Sequence, residues 1–114
     1  MTELFKFDFD FLGNRIELQV LTYKEKHEVR AFFNEEKDPP SCFFGVYENK
    51  KYVVFQSDNF DKPYLYIHEF LHATKNILAD FGVADEEMEC YFLGYLAQTY
   101  SDFLEVYNRT SEEE

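Results

Sequence analysis

The sequence predicts an α+β fold: a small antiparallel sheet of two hairpins, a helix between the hairpins, and two C-terminal helices packed together. The first residues alternate apolar and charged side chains, with the period of two that is typical of half-buried strands. A second pair of short apolar runs flanks a polar turn at residues 48–51. From residue 64 onward, apolar residues recur every three or four positions, as on the buried face of a helix. The length of 114 residues and the hydrophobic content of 46% indicate a single domain, residues 1–114.

The first hairpin is predicted from residues 3–12 and 15–21, which are joined by a turn at Gly13-Asn14. Phenylalanine occupies alternate positions of the first strand, at Phe5, Phe7, Phe9 and Phe11. Charged residues lie between them, so one face of the strand is apolar and the other is polar. We therefore expect the four phenylalanines to belong to the core.

A helix is predicted over residues 23–35, with Thr22 as its N-cap and Glu25 at the capping-box position. It should end before Pro39 and Pro40, because proline disfavours the helical conformation in the residue that precedes it. The second hairpin follows, with one strand at residues 42–47 and a return strand at residues 52–56. The sheet is then four-stranded and mostly antiparallel, and we expect the strand from Tyr52 to Gln56 to offer an edge for an extended peptide.

Two helices complete the chain. The first is predicted over residues 64–80, with Asp61 as a candidate cap and Gly82 at its end. Its apolar residues share one broad face: Ile67, Phe70, Leu71, Thr74, Ile77 and Leu78. The second helix is predicted from about Asp85 to Tyr107. Small residues form a seam along one side of it: Cys90, Gly94, Ala97 and Ser101. We expect this seam to face the preceding helix.

The stretch from His68 to His72 reads His-Glu-x-x-His. Residues four apart on a helix lie on one face, so the two imidazoles can bind one Zn²⁺ at about 2.0–2.1 Å each. Glu69 points about 100° around the helix, toward its polar side, and is therefore not expected to be a ligand. We expect it to act as the general base on a metal-bound water. The alternative interpretation is two ordinary surface histidines on an amphipathic helix.

A third ligand is expected from the last helix. Glu87 heads the small-residue seam, and the short link through residues 82–84 folds this helix back on the histidines. Glu86 and Glu89 remain alternatives, because the rotation of a helix about its axis is uncertain when only the sequence is known. They point about 100° and 200° away from Glu87, so only one of the three can face the histidines well.

These residues resemble the gluzincin branch of the zincin metallopeptidases, in which a glutamate on the following helix, often in Glu-x-x-Ala or Glu-x-x-Asp, is the third protein ligand. Residues 87–90, Glu-Met-Glu-Cys, match this pattern with a small residue at its end. Residues 68–73 and 85–96 together are similar to short zincin-like proteins of phages and prophages, which have alanine where this chain has Cys90. The resemblance covers roughly residues 42–100. It implies a zincin-like minimal core and a zinc-dependent hydrolase, in particular a metallopeptidase acting on proteins or peptides, with Zn²⁺ on His68, His72 and Glu87.

The net charge of −12 argues against direct binding to nucleic acid, since phosphates would be repelled. The sequence contains no run of eighteen apolar residues, so no membrane span is predicted, and no secretory signal is recognisable. A location in the cytoplasm is therefore expected, or in the host cytoplasm if a phage encodes the chain. Cys42 and Cys90 are expected to stay unpaired there. The alternative function is a non-catalytic acidic phage-type protein that binds and inhibits a basic host protein. A homodimer or a protein partner is expected to complete the small cleft.

Overall fold

The computed structural model describes residues 1–113, and it describes their side chains as far as residue 110. Its elements, in chain order, are β1 (Thr2–Phe11), β2 (Asn14–Tyr23), α1 (Lys26–Phe33), β3 (Cys42–Tyr47), β4 (Lys50–Gln56), α2 (Pro63–Asp80) and α3 (Glu86–Glu113). This order and the α+β class confirm the predicted fold. The last helix continues beyond its predicted end at Tyr107.

The sheet has the strand order β1-β2-β4-β3. Each hairpin is antiparallel, as predicted, whereas β2 and β4 pair in parallel from Gln19–Tyr52 to Tyr23–Gln56 and thereby join the two hairpins into one sheet. Because β4 is hydrogen-bonded on both sides, the prediction that the strand from Tyr52 to Gln56 offers an edge is wrong. The edges of the sheet are β1 and β3, and β3 lies beside α2.

The alternation of side chains along the strands divides the core into two clusters, one on each face of the sheet. The larger cluster lies under α2 and α3 and includes Phe7, Leu18, Phe55, Phe70, Leu96 and Tyr100. The smaller cluster lies under α1 and includes Leu21, Tyr23, Val29, Phe33, Tyr52 and Val54. The first strand supplies the phenylalanines expected in the core, with Phe7 fully enclosed and Phe5, Phe9 and Phe11 packed at the margin.

Helix ends differ in part from the predictions. Thr22 lies in β2, where it pairs with β4, so α1 begins later and Glu25 is its N-cap. Glu28 completes the capping box by accepting the Glu25 backbone N–H at 2.7 Å. Helix α2 begins at Pro63, after Lys62 as N-cap, and Asp61 does not cap it. Gly82 ends α2 as predicted, with a φ of 69° that favours glycine.

Tyr100 lies at the centre of the larger cluster. It is fully buried, and its ring is 5.0 Å from that of Tyr66 and 5.2 Å from that of Phe70. Its hydroxyl donates a hydrogen bond of 2.8 Å to the Phe60 carbonyl, in the loop before α2. Tyr100, on α3, therefore contacts both α2 and the loop that precedes α2.

Replacing Tyr100 should destabilise the protein in two graded steps. Tyr100→Phe removes only the hydrogen bond to the Phe60 carbonyl and should lower the free energy of unfolding by about 1 kcal/mol. Tyr100→Ala also empties the space of the ring and should cost about 3–5 kcal/mol. Urea unfolding followed by circular dichroism measures both, with Tyr91→Phe, at a residue that is 73% exposed, as the control. A Tyr100→Phe variant as stable as that control would contradict the role of the hydroxyl.

The carboxyl group of Glu28 should make the stability of the folded protein depend on pH in the acidic range. Hydrogen bonds lower the pKa of its carboxyl from 4.5 to about 2, first that from the backbone N–H of Glu25 and then those from the amino group of Met1 and the backbone of Lys24. Because the pKa is lower in the folded state, the stabilisation is complete above about pH 4.5 and is lost as the pH falls toward 2. Thermal unfolding across this range should therefore show a smaller acid-induced loss for Glu28→Gln than for the wild type. Parallel pH profiles would contradict the capping role.

Candidate functional site

Helix α2 brings His68, Glu69 and His72 together, with one potential ligand atom of each within 4.8 Å of the others. The Nε2 atoms of the two histidines are 3.2 Å apart. The Oε1 atom of Glu69 is 3.7 Å from Nε2 of His68. The prediction that the two histidines share one face of a helix is therefore confirmed, and Glu69 lies beside them.

The separation of the two imidazole nitrogens fits a tetrahedral metal site. Two nitrogens that are each about 2.05 Å from a zinc ion and 3.2 Å from each other subtend an angle of about 100° at the ion. This angle is close to the tetrahedral value. The same distance also fits a hydrogen bond between the two rings, in which one neutral imidazole donates its Nε2–H to Nε2 of the other.

Helix α2 is rotated relative to the prediction. Glu69 was expected on the polar side, yet it is only 5% exposed, whereas His68 and His72 are exposed. The expected core residues Ile67 and Leu71 are 40% and 36% exposed. The cause is the packing of α2 on the sheet, which buries a stripe through Tyr66, Glu69, Phe70, Ala73, Thr74, Ile77 and Leu78.

The buried carboxylate of Glu69 has only a weak hydrogen-bond donor among the described residues, the Sγ atom of Cys42 at 3.9 Å. Burial, and then the charge of Glu69, raise the pKa of the Cys42 thiol, which keeps the thiol protonated and able to donate. A buried carboxylate is costly unless charged or strongly polar groups compensate it. A cation held by the two adjacent imidazoles would supply that compensation, so Glu69 and the histidines fit a metal site together.

The site opens into a shallow cleft between α2 and the edge strand β3. The cleft has a volume of about 430 Å³ and is lined by Cys42, Phe43, Phe44, Glu69, His72 and Asn76. One side of the cleft is therefore the free edge of the sheet, and the other is the helix that carries the histidines. A ligand in this cleft would touch both.

The structure does not bring Glu87 to the histidines. Glu87 is exposed, lies outside the cluster of ligand atoms, and donates its backbone N–H to the side chain of Asp85 at 2.9 Å. The prediction that the small-residue seam faces α2 is wrong, because Cys90, Gly94 and Ser101 are exposed. A Cβ atom built on Gly94 would meet nothing within 4 Å. Helix α3 instead buries its large apolar residues, which gain far more from leaving water: Phe92, Leu96, Tyr100 and Leu104.

Glu89 is the acidic residue that the first turn of α3 presents to α2. It points within about 20° of the buried Leu96, whereas Glu87 points about 180° away from Leu96. The carboxylate of Glu89 is half-buried and lies 3.1 Å from Nζ of Lys75, which is one turn beyond His72. Glu86 is exposed. Sequence reasoning kept Glu89 as an alternative but preferred Glu87, because the small-residue seam was given more weight than the larger apolar residues on the opposite side of the helix.

Comparison of the chain with protein-family models, with curated proteins and with solved structures gave no match. Within residues 1–113, none of the helices combines the length and the apolar character needed to cross a membrane. Cys42 and Cys90 are both free thiols, as expected.

The two thiols should react at different rates in the native protein. Cys90 is exposed, whereas Cys42 is half-buried and has a raised pKa, so a smaller fraction of it is the reactive thiolate. A thiol-specific chromogenic disulfide should therefore label one site rapidly and the other slowly. Cys90→Ser should remove the rapid phase. A rapid phase that persists in this variant would contradict the burial of Cys42.

Proposed function

We propose that this protein is a small zinc-dependent hydrolase, in particular a metallopeptidase, with Zn²⁺ on His68 and His72 and with Glu69 as the general base. The observation that carries the proposal is the cluster of His68, Glu69 and His72, whose possible ligand atoms lie within 4.8 Å of one another, with the Nε2 atoms 3.2 Å apart and the carboxylate buried. Bound at these nitrogens, Zn²⁺ would polarise a carbonyl group and lower the pKa of water at its open position to about 7. The open cleft along β3 gives a substrate access to this point.

Glu69 is suited to move a proton. Its Oε1 atom is 3.7 Å from Nε2 of His68, too far for a hydrogen bond to that nitrogen but close enough to reach a water molecule on a zinc ion bound there. The surrounding core limits the movement of the carboxylate, and the thiol of Cys42 contacts the same oxygen. Glu69 would accept a proton from the attacking water and pass it to the leaving amine.

Glu89 is a better candidate than Glu87 for a third protein ligand, although it too lies outside the cluster formed by His68, Glu69 and His72 and would have to move to reach the metal. Glu89 points toward α2 and lies against it through Lys75, whereas Glu87 points away from the core. To coordinate a metal, the Glu89 carboxylate would have to leave Lys75. Lys75 therefore competes with the metal for this carboxylate.

A peptide substrate would pair with β3. Within residues 1–113, its outer backbone groups have no strand partner, and an extended peptide added there would run along the cleft. This position replaces the one predicted on the strand from Tyr52 to Gln56, which is interior. Pairing at β3 would bring the peptide backbone past Cys42 and His72.

The second candidate function is a non-catalytic acidic protein, of the phage type, that inhibits a basic host protein. An apolar groove at the other edge of the sheet favours it, lined in part by Phe9, Phe11, Met88, Tyr91 and Tyr95. Tyr91 is 73% exposed there, and the net charge of −12 suits a basic partner. Turnover that depends on Glu69 separates the two functions, because the groove lies away from that residue.

Removing either histidine should abolish tight zinc binding, whereas Glu69→Gln should retain it. His68→Ala and His72→Ala each delete a ligand, and we expect affinity to fall by more than the roughly 10–100-fold that losing a supporting residue costs. Glu69→Gln keeps the shape and loses the base, so kcat should fall by about 10²–10⁴-fold. Competition with a chromophoric chelator measures the affinity, and hydrolysis of a quenched fluorescent peptide library measures turnover. Unchanged zinc affinity in both histidine variants would exclude the proposed site.

A matched series on α3 identifies the third ligand. Glu89→Gln should weaken zinc binding at least tenfold, whereas Glu86→Gln and Glu87→Gln should leave it unchanged. Lys75→Ala should strengthen binding, since it frees the Glu89 carboxylate. The same chelator competition measures all four variants. A loss of affinity confined to Glu87→Gln would mean that α3 turns about its axis on metal binding, contrary to the assignment of Glu89.

A further inference from the structure

The α1 face of β3 carries a second cavity, distinct from the cleft at the histidines. Its volume is about 280 Å³, enough for a large side chain, it is partly open to solvent, and β3, an edge strand, forms part of its wall. Most of its wall is apolar and comes from α1, the following loop and β3: Val29, Phe33, Pro39, Pro40, Phe43 and Tyr47. Charged residues of the loop complete the lining: Glu35, Lys37 and Asp38. Gly45 borders the cavity from the middle of β3.

The wall of this cavity is held in place by its own contacts. The ring of Phe33 lies 5.7 Å from that of Phe43 and 5.8 Å from that of Tyr47, so the floor is an aromatic cluster. The loop that forms the far wall is attached to the sheet, because the hydroxyl of Tyr23 donates a 3.0 Å hydrogen bond to the Pro40 carbonyl. An ion pair between Arg30 and Asp38 attaches the same loop to α1.

Neither the backbone nor the packing requires glycine at position 45. Its φ is not in the left-handed region, and a Cβ atom there would lie 3.5 Å from the ring of Phe43, an ordinary contact. Glycine within a strand weakens the strand, and it often marks a place where a ligand or another backbone comes close. Here the missing side chain leaves the part of the cavity beside β3, an edge strand, unfilled.

The pleat of β3 connects the cavity with the cleft. Cys42 and Phe44 belong to the face under α2, whereas Phe43 and Tyr47 belong to the face under α1, and Gly45 shares their parity. Gly45 lies about 10 Å along the strand from Cys42, at about 3.3 Å per residue. A peptide paired with β3 alternates in the same way. The side chain three residues from the one beside Cys42 would therefore point to the cavity.

We propose that this cavity is a specificity subsite that takes one aromatic or large aliphatic side chain of an extended peptide paired with β3. The inference rests on the proposed function, since the peptide would be the substrate. An aromatic ring suits the site best, because it can pack edge-to-face against Phe33 and Phe43. The hydrolase would then prefer such a residue about three positions from the residue held at the metal site.

Binding to the Glu69→Gln protein tests the subsite without hydrolysis. The probes are two fluorescein-labelled nine-residue peptides of alternating threonine and serine, one with a central phenylalanine and one with serine there. Fluorescence polarisation should show the phenylalanine peptide binding at least about tenfold more tightly, the gain expected for burying the ring. Gly45→Val, introduced into the same protein, should abolish the difference by filling the cavity, and a β-branched residue suits a strand. The control Gly94→Ala, in open space on α3, should preserve it.

A photochemical measurement covers the case in which Gly45→Val does not fold. A peptide with p-benzoylphenylalanine at the central position should cross-link to residues 33–47 of the Glu69→Gln protein, as mapped by mass spectrometry. Equal or absent binding of the two peptides, a preference that survives in folded Gly45→Val protein, or cross-links confined to α2 or α3 would each overturn the subsite. Phenylalanine-dependent binding at residues 33–47, without hydrolysis of any peptide by the zinc-loaded wild type, would support the subsite and refute the hydrolase.

Discussion

The packing of α2 on the sheet is the constraint on which the candidate site depends. The helix buries Phe70, Ala73 and Ile77, and this choice of buried stripe decides where every other side chain of α2 points. It leaves His68 and His72 at the solvent and forces Glu69 into the margin of the core. Placing a carboxylate there is unfavourable for folding unless a positive group offsets its charge. In the proposed function a bound cation would offset this charge, and the carboxylate would accept a proton from the attacking water.

The second constraint is the parallel pairing of β2 with β4. It joins two hairpins that would otherwise be separate, and it buries Val53, Val54 and Phe55 between the two helical layers. The same pairing makes β3 an edge strand and puts that edge beside the histidines. One strand therefore borders the proposed metal site on one face and the aromatic cavity on the other. Peptide binding and peptide selection would then depend on the same few residues of β3.

The helix α3 shows how strongly large side chains outweigh small ones in helix packing. Phe92, Leu96 and Tyr100 fill the space over the sheet, and the seam of small residues is left facing solvent. This rotation separates Glu87 from the histidines and brings Glu89 to α2, where Lys75 balances its charge. The packing of α3 therefore decides that Glu89, and not Glu87, is the acidic residue that contacts α2.

The sequence by itself determined the order of the elements, because periods of two and of three to four residues depend on neighbours along the chain. It also determined that His68 and His72 meet, since four residues on one helix are a local distance. Only the tertiary structure decided that Glu69 is buried, that Glu89 rather than Glu87 faces α2, and that β3 is the free edge. These features depend on which face of each helix is buried against the sheet and on which strands pair. Both α2 and α3 carry apolar residues on more than one side, so the competition between their faces is settled only when the sheet is in place.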